Sequence, residues 1–216
     1  MLEEIYQNVI TGHAEGVAAG VQLALNAQCT PIEILDQSLI PAMTEIGHRF
    51  EYGECFVPEM LIAARAMQKG LAVLKPHLVE ANAKPLGKVV LGTVRGDLHD
   101  IGKNLVGMML EGTGFEVIDL GVDVQPERFV EAVRLHRPDF VGISALLTTT
   151  MSGISTVIEA LNEAGLRHQV LVMVGGAPLT QEFANQVGAD LYAPDAALAA
   201  KHAGMLLYNK QRSRSP

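Results

Sequence analysis

The sequence has little cysteine, which limits its redox chemistry. It contains 2 cysteines, Cys29 and Cys55, and no C-x-x-C spacing, so it cannot carry the disulfide framework of a small secreted domain. We expect both side chains to be ordinary thiols in a reducing cytoplasm.

Basic charge is also scarce. The chain has 16 Lys and Arg against 24 Asp and Glu, which gives a formal net charge of −8. Because contacts to phosphate backbones need clustered Lys and Arg, this balance excludes a dedicated nucleic-acid binder. The one basic cluster, from Lys210 to Arg214, is predicted to be a frayed terminus.

Long apolar runs are absent, although apolar residues are not. No run approaches the roughly 20 residues of a membrane-spanning helix, and the first segment, MLEEIYQNVI, lacks the basic start and apolar stretch of a signal peptide. Hydrophobic residues make up 49% of the chain, so a packed core is expected. We expect a soluble cytoplasmic protein with one large domain or two small ones.

The first part of the chain, residues 1–83, is predicted to be a four-helix bundle. It contains no convincing strand, and apolar residues recur at helical spacing from Leu2 to Val9 and from Val17 to Leu25. Further helical segments are expected at 31–40, at 42–50 and, after a polar turn at 51–54, from Pro58 to Leu74.

The helix signals are sharpest around Thr30. Thr30 can be the N-cap, Pro31 occupies the first helical position and Glu33 completes a capping box. Because proline removes a backbone donor and clashes with the preceding turn, this helix is expected to be interrupted or re-aimed at Pro41.

The second part of the chain alternates strands with helices. It covers residues 88–210, after a linker at 84–87 and before a predicted disordered tail at 211–216. We expect an α/β fold with a flavodoxin-like (Rossmann-type), doubly wound, five-stranded parallel sheet, whose ligands sit at the carboxyl ends of the strands. The predicted strands are 88–94, 115–120, 139–144, 170–175 and 190–192.

The loop after the first predicted strand holds the residues that could bind a ligand or a metal. A phosphate loop is excluded because Gly96 and Gly102 are separated by five residues instead of four, and Lys103 is followed by Asn. A dinucleotide fingerprint, G-x-G-x-x-G, is absent from this loop.

Metal binding is the remaining chemistry of this loop. A zinc or iron site built from His99, Asp97 and Asp100 would need ligands from elsewhere, and no other His or Cys stands at the carboxyl end of a predicted strand. Alternatively, His99 is the single protein ligand of a metal already held by a macrocycle. Asp97 would then accept the other ring N–H, and Gly102 would let a large group approach the backbone.

Three short motifs resemble those of one protein family, and they stand in order at the ends of strands one, three and four. The segment 50–58, FEYGECFVP, resembles the helical cap of the same family. Over residues 1–210 the chain resembles the stand-alone corrinoid (cobalamin-binding) proteins of anaerobic methyltransferase systems, and is similar to the cobalamin module of methionine synthase. The motifs are Asp97-x-His99-x-x-Gly102, Ser144-Ala145-Leu146 and Gly175-Gly176.

The resemblance implies a role for each of these residues. His99 would replace the cofactor's own nucleotide base below cobalt, the base-off/His-on form, with Asp97 as its partner and Thr150 completing the relay. Further implied cofactor contacts are Gly96, Leu98, Asp100, Ile101 and Gly102 in the first loop, Ser144, Leu146 and Thr148 after strand three, Gly175 and Gly176 after strand four, and Tyr192 and Ala196 in the last loop.

The helical part is implied to cover the upper face of the cofactor. Phe50 and Val57 match the shielding positions, although the family commonly has leucine where this chain has Val57, which puts a tight cover of the methyl group in doubt. The segment from Asn82 to Gly87 is the expected hinge that would expose the metal.

The function implied by the resemblance is that of a methyl carrier. The cofactor would be cobalamin (methylcobalamin or a related corrinoid) with its cobalt. The partners would be a substrate:corrinoid methyltransferase, a second methyltransferase acting on a methyl acceptor, and a reductive activase, with no nucleic acid or membrane. The chain itself would be the non-catalytic subunit, and its methyl donor stays open.

Two other classes use a similar module. A cobalamin-dependent sensor or regulatory module joins it to a DNA-binding domain, and neither an extra domain nor a basic face is expected here. The small subunit of a carbon-skeleton mutase usually lacks the helical cap that residues 50–58 indicate. Both are therefore less favoured than the carrier.

Overall fold

The chain forms two compact units. A computed structural model describes residues 1–81 and 83–212, and the units are Met1–Pro85 with Glu111–Gly114, and Leu86–Leu110 with Phe115–Pro216. Asn82 of the predicted hinge and residues 213–216 of the predicted tail lie outside the described residues. Within the described part, no helix has both the length and the apolar character needed to cross a membrane.

The first unit is helical, as predicted. The apolar positions at helical spacing are buried, among them Ile5 and Val9 of the first helix and Val17 of the second. The helices are α1 (Leu2–Ile10), α2 (Ala14–Asn26), α3 (Pro31–Ile34), α4 (Ile40–Glu51) and α5 (Val57–Glu80).

The junction of α3 and α4 shows where local rules succeed and fail. Thr30 and Glu33 form the predicted capping box, but the chain is not broken at Pro41. A π-helical turn over Leu35–Leu39 links the two helices, and the Ile40 N–H donates to the carbonyl of Leu35. The widened turn accommodates the proline ring and its missing donor, so the helical path continues.

The second unit is the expected doubly wound sheet. All five strands are parallel, in the order β2-β1-β3-β4-β5, and each lies within one residue of its predicted bounds. The final helix runs to Arg212, two residues into the predicted tail. The elements are β1 (Lys88–Thr93), α6 (Ile101–Gly112), β2 (Glu116–Asp119), α7 (Pro126–His136), β3 (Phe140–Ser144), α8 (Ser152–Glu163), β4 (Leu171–Gly175), α9 (Gln181–Val187), β5 (Leu191–Tyr192) and α10 (Ala196–Arg212).

The sheet order brings the ends of β1 and β3 together. β1 is buried from Val89 to Thr93, as a strand covered on both faces should be. The chain leaves β1 toward β2 on one side and β3 pairs on the other, so the order reverses between β1 and β3, where open sheets bind ligands. Thr93, Ser144 and Gly175 are register partners across this edge.

Gly176 is required by the fold at the end of β4. Its φ of 139° lies in a region that side chains avoid, and an added Cβ would lie 1.9 Å from the carbonyl oxygen of Ala145. This close approach lets the β4 loop pass directly over the end of β3. Packing alone therefore accounts for glycine at 176.

Gly176→Ala should destabilise the second unit. The added methyl group combines overpacking against backbone with an unfavourable φ, so the free energy of unfolding should fall by about 3 kcal/mol in urea titration. Gly188→Ala is the matched control, because Gly188 has φ 74° but open space around its Cβ position. That control should lose only about 1 kcal/mol, and equal losses would contradict the contact with Ala145.

Candidate functional site

His99 and Asp97 form a hydrogen-bonded pair in the loop after β1. The His99 Nδ1 lies 2.7 Å from Asp97 Oδ1, and the His99 backbone N–H donates to the same oxygen at 3.1 Å. The Asp97 side chain is fully buried, whereas 49% of the His99 side chain is exposed. With Nδ1 donating to a carboxylate, Nε2 is the ring nitrogen whose lone pair can bind a metal.

The second oxygen of Asp97 is held by the loop after β3. Oδ2 accepts hydrogen bonds from the Leu146 N–H and the Thr150 hydroxyl, both at 2.7 Å. These donors are 49 and 53 residues away in the chain and reach Asp97 because β1 and β3 are neighbours. Thr150, Asp97 and His99 therefore form one continuous chain of hydrogen bonds.

The Asp97 carboxyl group stays ionised in this setting. Burial by itself would raise its pKa, but the hydrogen bonds from the Leu146 N–H, the Thr150 hydroxyl and His99 outweigh burial and hold the pKa far below its ordinary value. An ionised Asp97 favours the tautomer with the ring proton on Nδ1 and restrains the orientation of the imidazole.

Exposed apolar side chains lie on the two loops that hold His99 and Asp97. Leu98 and Ile101 are each 72% exposed, and Leu146 and Leu147 on the β3 loop are about 40% exposed, at 39% and 41%. Apolar side chains on both loops next to a half-exposed imidazole are typical of a surface that receives a large, partly apolar ligand.

Gly102 offers open space beside this surface. A Cβ added there would meet no other atom within 4 Å, and its φ is not positive. Neither backbone conformation nor packing within the described residues requires glycine at 102. A close approach by an external group is the remaining physical reason for it. Gly96, by contrast, has φ 79° and is required by the turn.

The other predicted site residues divide between the two units. Thr148 is exposed, Ala196 is buried as the first residue of α10, and Ser144 is half-buried. Phe50 in α4 and Val57 at the start of α5 belong to the first unit; Phe50 is half-buried and Val57 is 41% exposed.

Two of the predicted cofactor contacts already have partners within the protein. The Tyr192 hydroxyl donates to the carbonyl of Leu179 at 3.0 Å, so it holds the loop before α9. Asp100 accepts a hydrogen bond from the Asn104 side chain at 3.1 Å, within the first turn of α6. Their polar atoms therefore serve the protein's own loops.

Sequence analysis missed several residues that support the loop. The buried Thr93 hydroxyl donates to the carbonyl of His99 at 3.1 Å. Lys103, whose side chain is 1% exposed, pairs with Asp119 at 2.6 Å. A lysine in the first turn of a helix opposes the helix dipole, and this anomaly was the signal that could have indicated an acidic partner.

The donor set suits a metal that brings its other ligands. The described residues contain no group of three or more His, Cys, Asp or Glu side chains placed to hold a metal ion. The site instead presents one oriented imidazole, an apolar rim and open space at Gly102. These features define a class: an α/β domain that offers a single axial ligand to a bulky metal complex.

Comparisons with known proteins agree with this class. A family model described as B12 binding domain matches residues 87–201, and a second model with the same description matches residues 1–75. The chain belongs to the B12-binding corrinoid proteins. These matches confirm the family and the cobalamin-type cofactor that the sequence predicted.

Individual relatives support the assignment over the whole length. The chain is 46% identical to the dimethylamine corrinoid protein of Methanosarcina barkeri, over 96% of this chain and 97% of the relative. It is 45% identical to trimethylamine corrinoid protein 1 of Methanosarcina acetivorans, over 88% and 89%. A chain of the methanol:cobalamin methyltransferase complex MtaBC from M. barkeri superposes with a TM-score of 0.85 at 32% identity, covering 96% of this chain and 79% of that one. The predicted fold class is confirmed.

Thr150→Val should remove one of the hydrogen bonds that stabilise the ionised Asp97 carboxylate. With one donor lost, the pKa of Asp97 rises and the stability it contributes shrinks. That contribution is present above the ordinary Asp pKa, about 3.9, and is lost as pH falls toward the lowered native pKa. At pH 7 the variant should therefore lose about 2 kcal/mol of unfolding free energy, as measured by urea titration.

Thr156→Val is the control for this change. The Thr156 hydroxyl donates only to the Ser152 carbonyl of its own helix at 3.2 Å, so its stability should stay near that of the wild type. Equal losses for the two valine variants would contradict the assigned bond between Thr150 and Asp97.

Proposed function

We propose that the chain is a corrinoid methyl carrier that binds its cofactor through His99 in the base-off/His-on form. It would carry a methyl group between a substrate:corrinoid methyltransferase and a second methyltransferase. The observation that supports this most is the buried, ionised Asp97 holding one nitrogen of a half-exposed imidazole. The names of the relatives favour methylated amines as methyl donors.

The chain's own groups would control the lower ligand. When bound, the corrinoid supplies the metal that accepts and releases the methyl group. His99 Nε2 would bind that metal while Asp97 keeps a proton on Nδ1, which raises the basicity of the ligand. When the imidazole is released, Nε2 can take a proton, and the carboxylate of Asp97 would stabilise the imidazolium.

The surfaces around His99 would hold the rest of the cofactor. Leu98, Ile101 and Leu146 offer apolar contact, and Gly102 offers close approach. The Ser144 and Thr148 hydroxyls make no hydrogen bond to another described side chain or backbone group, which suits them to a polar part of the ligand. Six further residues are proposed to lie against the cofactor: Gly96, Asp100, Gly175, Gly176, Tyr192 and Ala196.

The first unit would shield the upper face of the cofactor. Val57 and its neighbour Phe56 expose 41% and 66% of their surface at the start of α5, an apolar exposure that suits a cover for a hydrophobic ring. Phe50 belongs to the same proposal. A reductive activase as a further partner and a cytoplasmic location stay predictions.

His99→Ala should abolish nitrogen ligation from the protein. After reconstitution with hydroxocobalamin and reduction to cob(II)alamin, the EPR spectrum of the wild type should show coupling to a protein nitrogen, because imidazole replaces the cofactor's own base. The variant should lack that coupling and bind the cofactor at least about tenfold more weakly.

His168→Ala is the matched control, since His168 is an exposed histidine of the same unit. It should keep the wild-type spectrum and affinity. A His99→Ala spectrum identical to that of the wild type would overturn the ligand assignment. Absence of cofactor binding by the wild type would overturn the carrier itself.

Gly102→Ala should separate folding from cofactor binding. The added methyl enters open space in the free protein and improves helix propensity, so its unfolding free energy should be unchanged or slightly higher. If the cofactor approaches this backbone, the same methyl should weaken hydroxocobalamin binding by about tenfold in absorbance titration.

Gly204→Ala is the control for this pair of measurements, because Gly204 also has open space at its Cβ position but lies in α10. It should not change binding. Wild-type affinity in Gly102→Ala would show that the cofactor does not reach this position.

A further inference from the structure

The pairing of β1 with β2 contains a bulge just before the His99 loop. Leu91 pairs with Asp119, but the next bridge joins Val94 to Val124. The β2 side therefore has two more residues than the β1 side between these pairs. The extra length is absorbed where Gly121 and Asp123 take positive φ values of 86° and 53°.

The bulge remains tied to β1 on both sides. The Thr93 N–H donates to the carbonyl of Gly121 at 3.0 Å, and the Val124 N–H donates to the carbonyl of Thr93 at 2.9 Å. Bulges next to functional sites commonly re-aim a side chain. Two residues, Val122 and Asp123, lie between the two ties, and Asp123 is the one with a polar side chain.

Asp123 holds the backbone on both sides of Asp97. Its Oδ1 accepts a hydrogen bond from the Gly96 N–H at 2.7 Å, and its own N–H donates to the carbonyl of Asp97 at 3.0 Å. Two hydrogen bonds from Asp123 thus flank the α-carbon of Asp97, whose side-chain carboxylate is bound to His99.

The conformation of Asp123 does not serve the core. Asp123 is exposed, so its hydrogen bonds compete with water and contribute little to stability. Yet it keeps a left-handed φ that costs a non-glycine residue about 1 kcal/mol or more, and such strain concentrates at functional sites. Aspartate and asparagine are the side chains that tolerate this region best.

An ion pair between the buried Lys103 and the half-exposed Asp119 anchors the other end of the bulge. Lys103 Nζ contacts both carboxylate oxygens of Asp119, at 2.7 and 2.6 Å, and Asp119 Oδ1 accepts the Gly121 N–H at 2.9 Å. The bulge is therefore fixed at Asp119 from α6 and at Val124 in the core, which gives Asp123 a rigid base.

We propose that Asp123 is a positioning residue for the metal ligand: it sets the backbone of Asp97 and, through the Asp97 carboxylate, the orientation of the His99 ring. This inference rests on the proposed function. It adds to the site a residue of the β2 loop that acts through the backbone of Gly96 and Asp97.

Three substitutions separate the acceptor from the strain. Asp123→Asn keeps an oxygen acceptor and tolerates positive φ. Asp123→Gly relieves the strain of the positive φ but removes the acceptor. Asp123→Ala removes the acceptor and keeps the strain. Each full-length variant would be reconstituted with hydroxocobalamin and reduced to cob(II)alamin. The readouts are the EPR coupling to the protein nitrogen, the affinity from absorbance titration, and the thermal unfolding of the cofactor-free protein.

Asp123→Ala and Asp123→Gly should each bind about tenfold more weakly, as for loss of an outer support of a metal ligand, with reduced or heterogeneous nitrogen coupling. Asp123→Asn should stay within about twofold of the wild type. Arg137→Ala is the control, because Arg137 is an exposed residue of the same unit with φ 47°, and it should leave both cofactor readouts unchanged.

The outcomes distinguish this inference from the function beneath it. A wild type without protein nitrogen coupling would overturn the proposed His99 ligation and this inference together. Wild-type coupling that persists at full affinity in Asp123→Ala would overturn the positioning role alone. So would an Asp123→Asn variant as weak as Asp123→Ala, or an equal loss in Arg137→Ala.

Discussion

The hydrogen bond between Asp97 and His99 sets the main requirement on the rest of the second unit. A fully buried carboxylate needs donors on both oxygens, and His99 supplies them on one side only. The remaining donors, Leu146 and Thr150, stand after β3. The site therefore exists only if β1 and β3 are adjacent and end at the same level, as the sheet order and register provide.

The contrast between a buried acid and a half-exposed imidazole is what makes the site useful for ligation. Burial and hydrogen bonding on both oxygens hold the Asp97 carboxylate in place, so its bond to Nδ1 restrains the ring. The same loop carries exposed apolar side chains such as Leu98 and Ile101. A large metal complex with a partly apolar surface fits this combination better than a small hydrated ion does.

Precision at the site comes largely from contacts that β1, α6 and the β2 loop make around the first loop. Asp123 and Thr93 bond to the backbone of the first loop, and Lys103 and Asp119 bond to each other, so the polar groups of these supports are engaged away from the imidazole nitrogens. Such supports constrain the first loop without occupying the surface where a ligand must approach. This arrangement explains why an exposed loop can hold a ligand side chain in one orientation.

Local patterns determined much of this protein by themselves. Alternating strands and helices, the capping box at Thr30 and the three motifs at strand ends depend on residues close together in the chain, so the sequence predicted all five strands and the pairing of His99 with Asp97. The predicted break at Pro41 did not occur because a π-helical turn precedes the proline and accommodates its ring. Whether such a turn forms depends on the packing of several neighbouring turns together. Only the tertiary structure decided the partners of Lys103 and Asp123, 16 and 27 residues away. Those contacts depend on a two-residue bulge and on strand register, which no local spacing records.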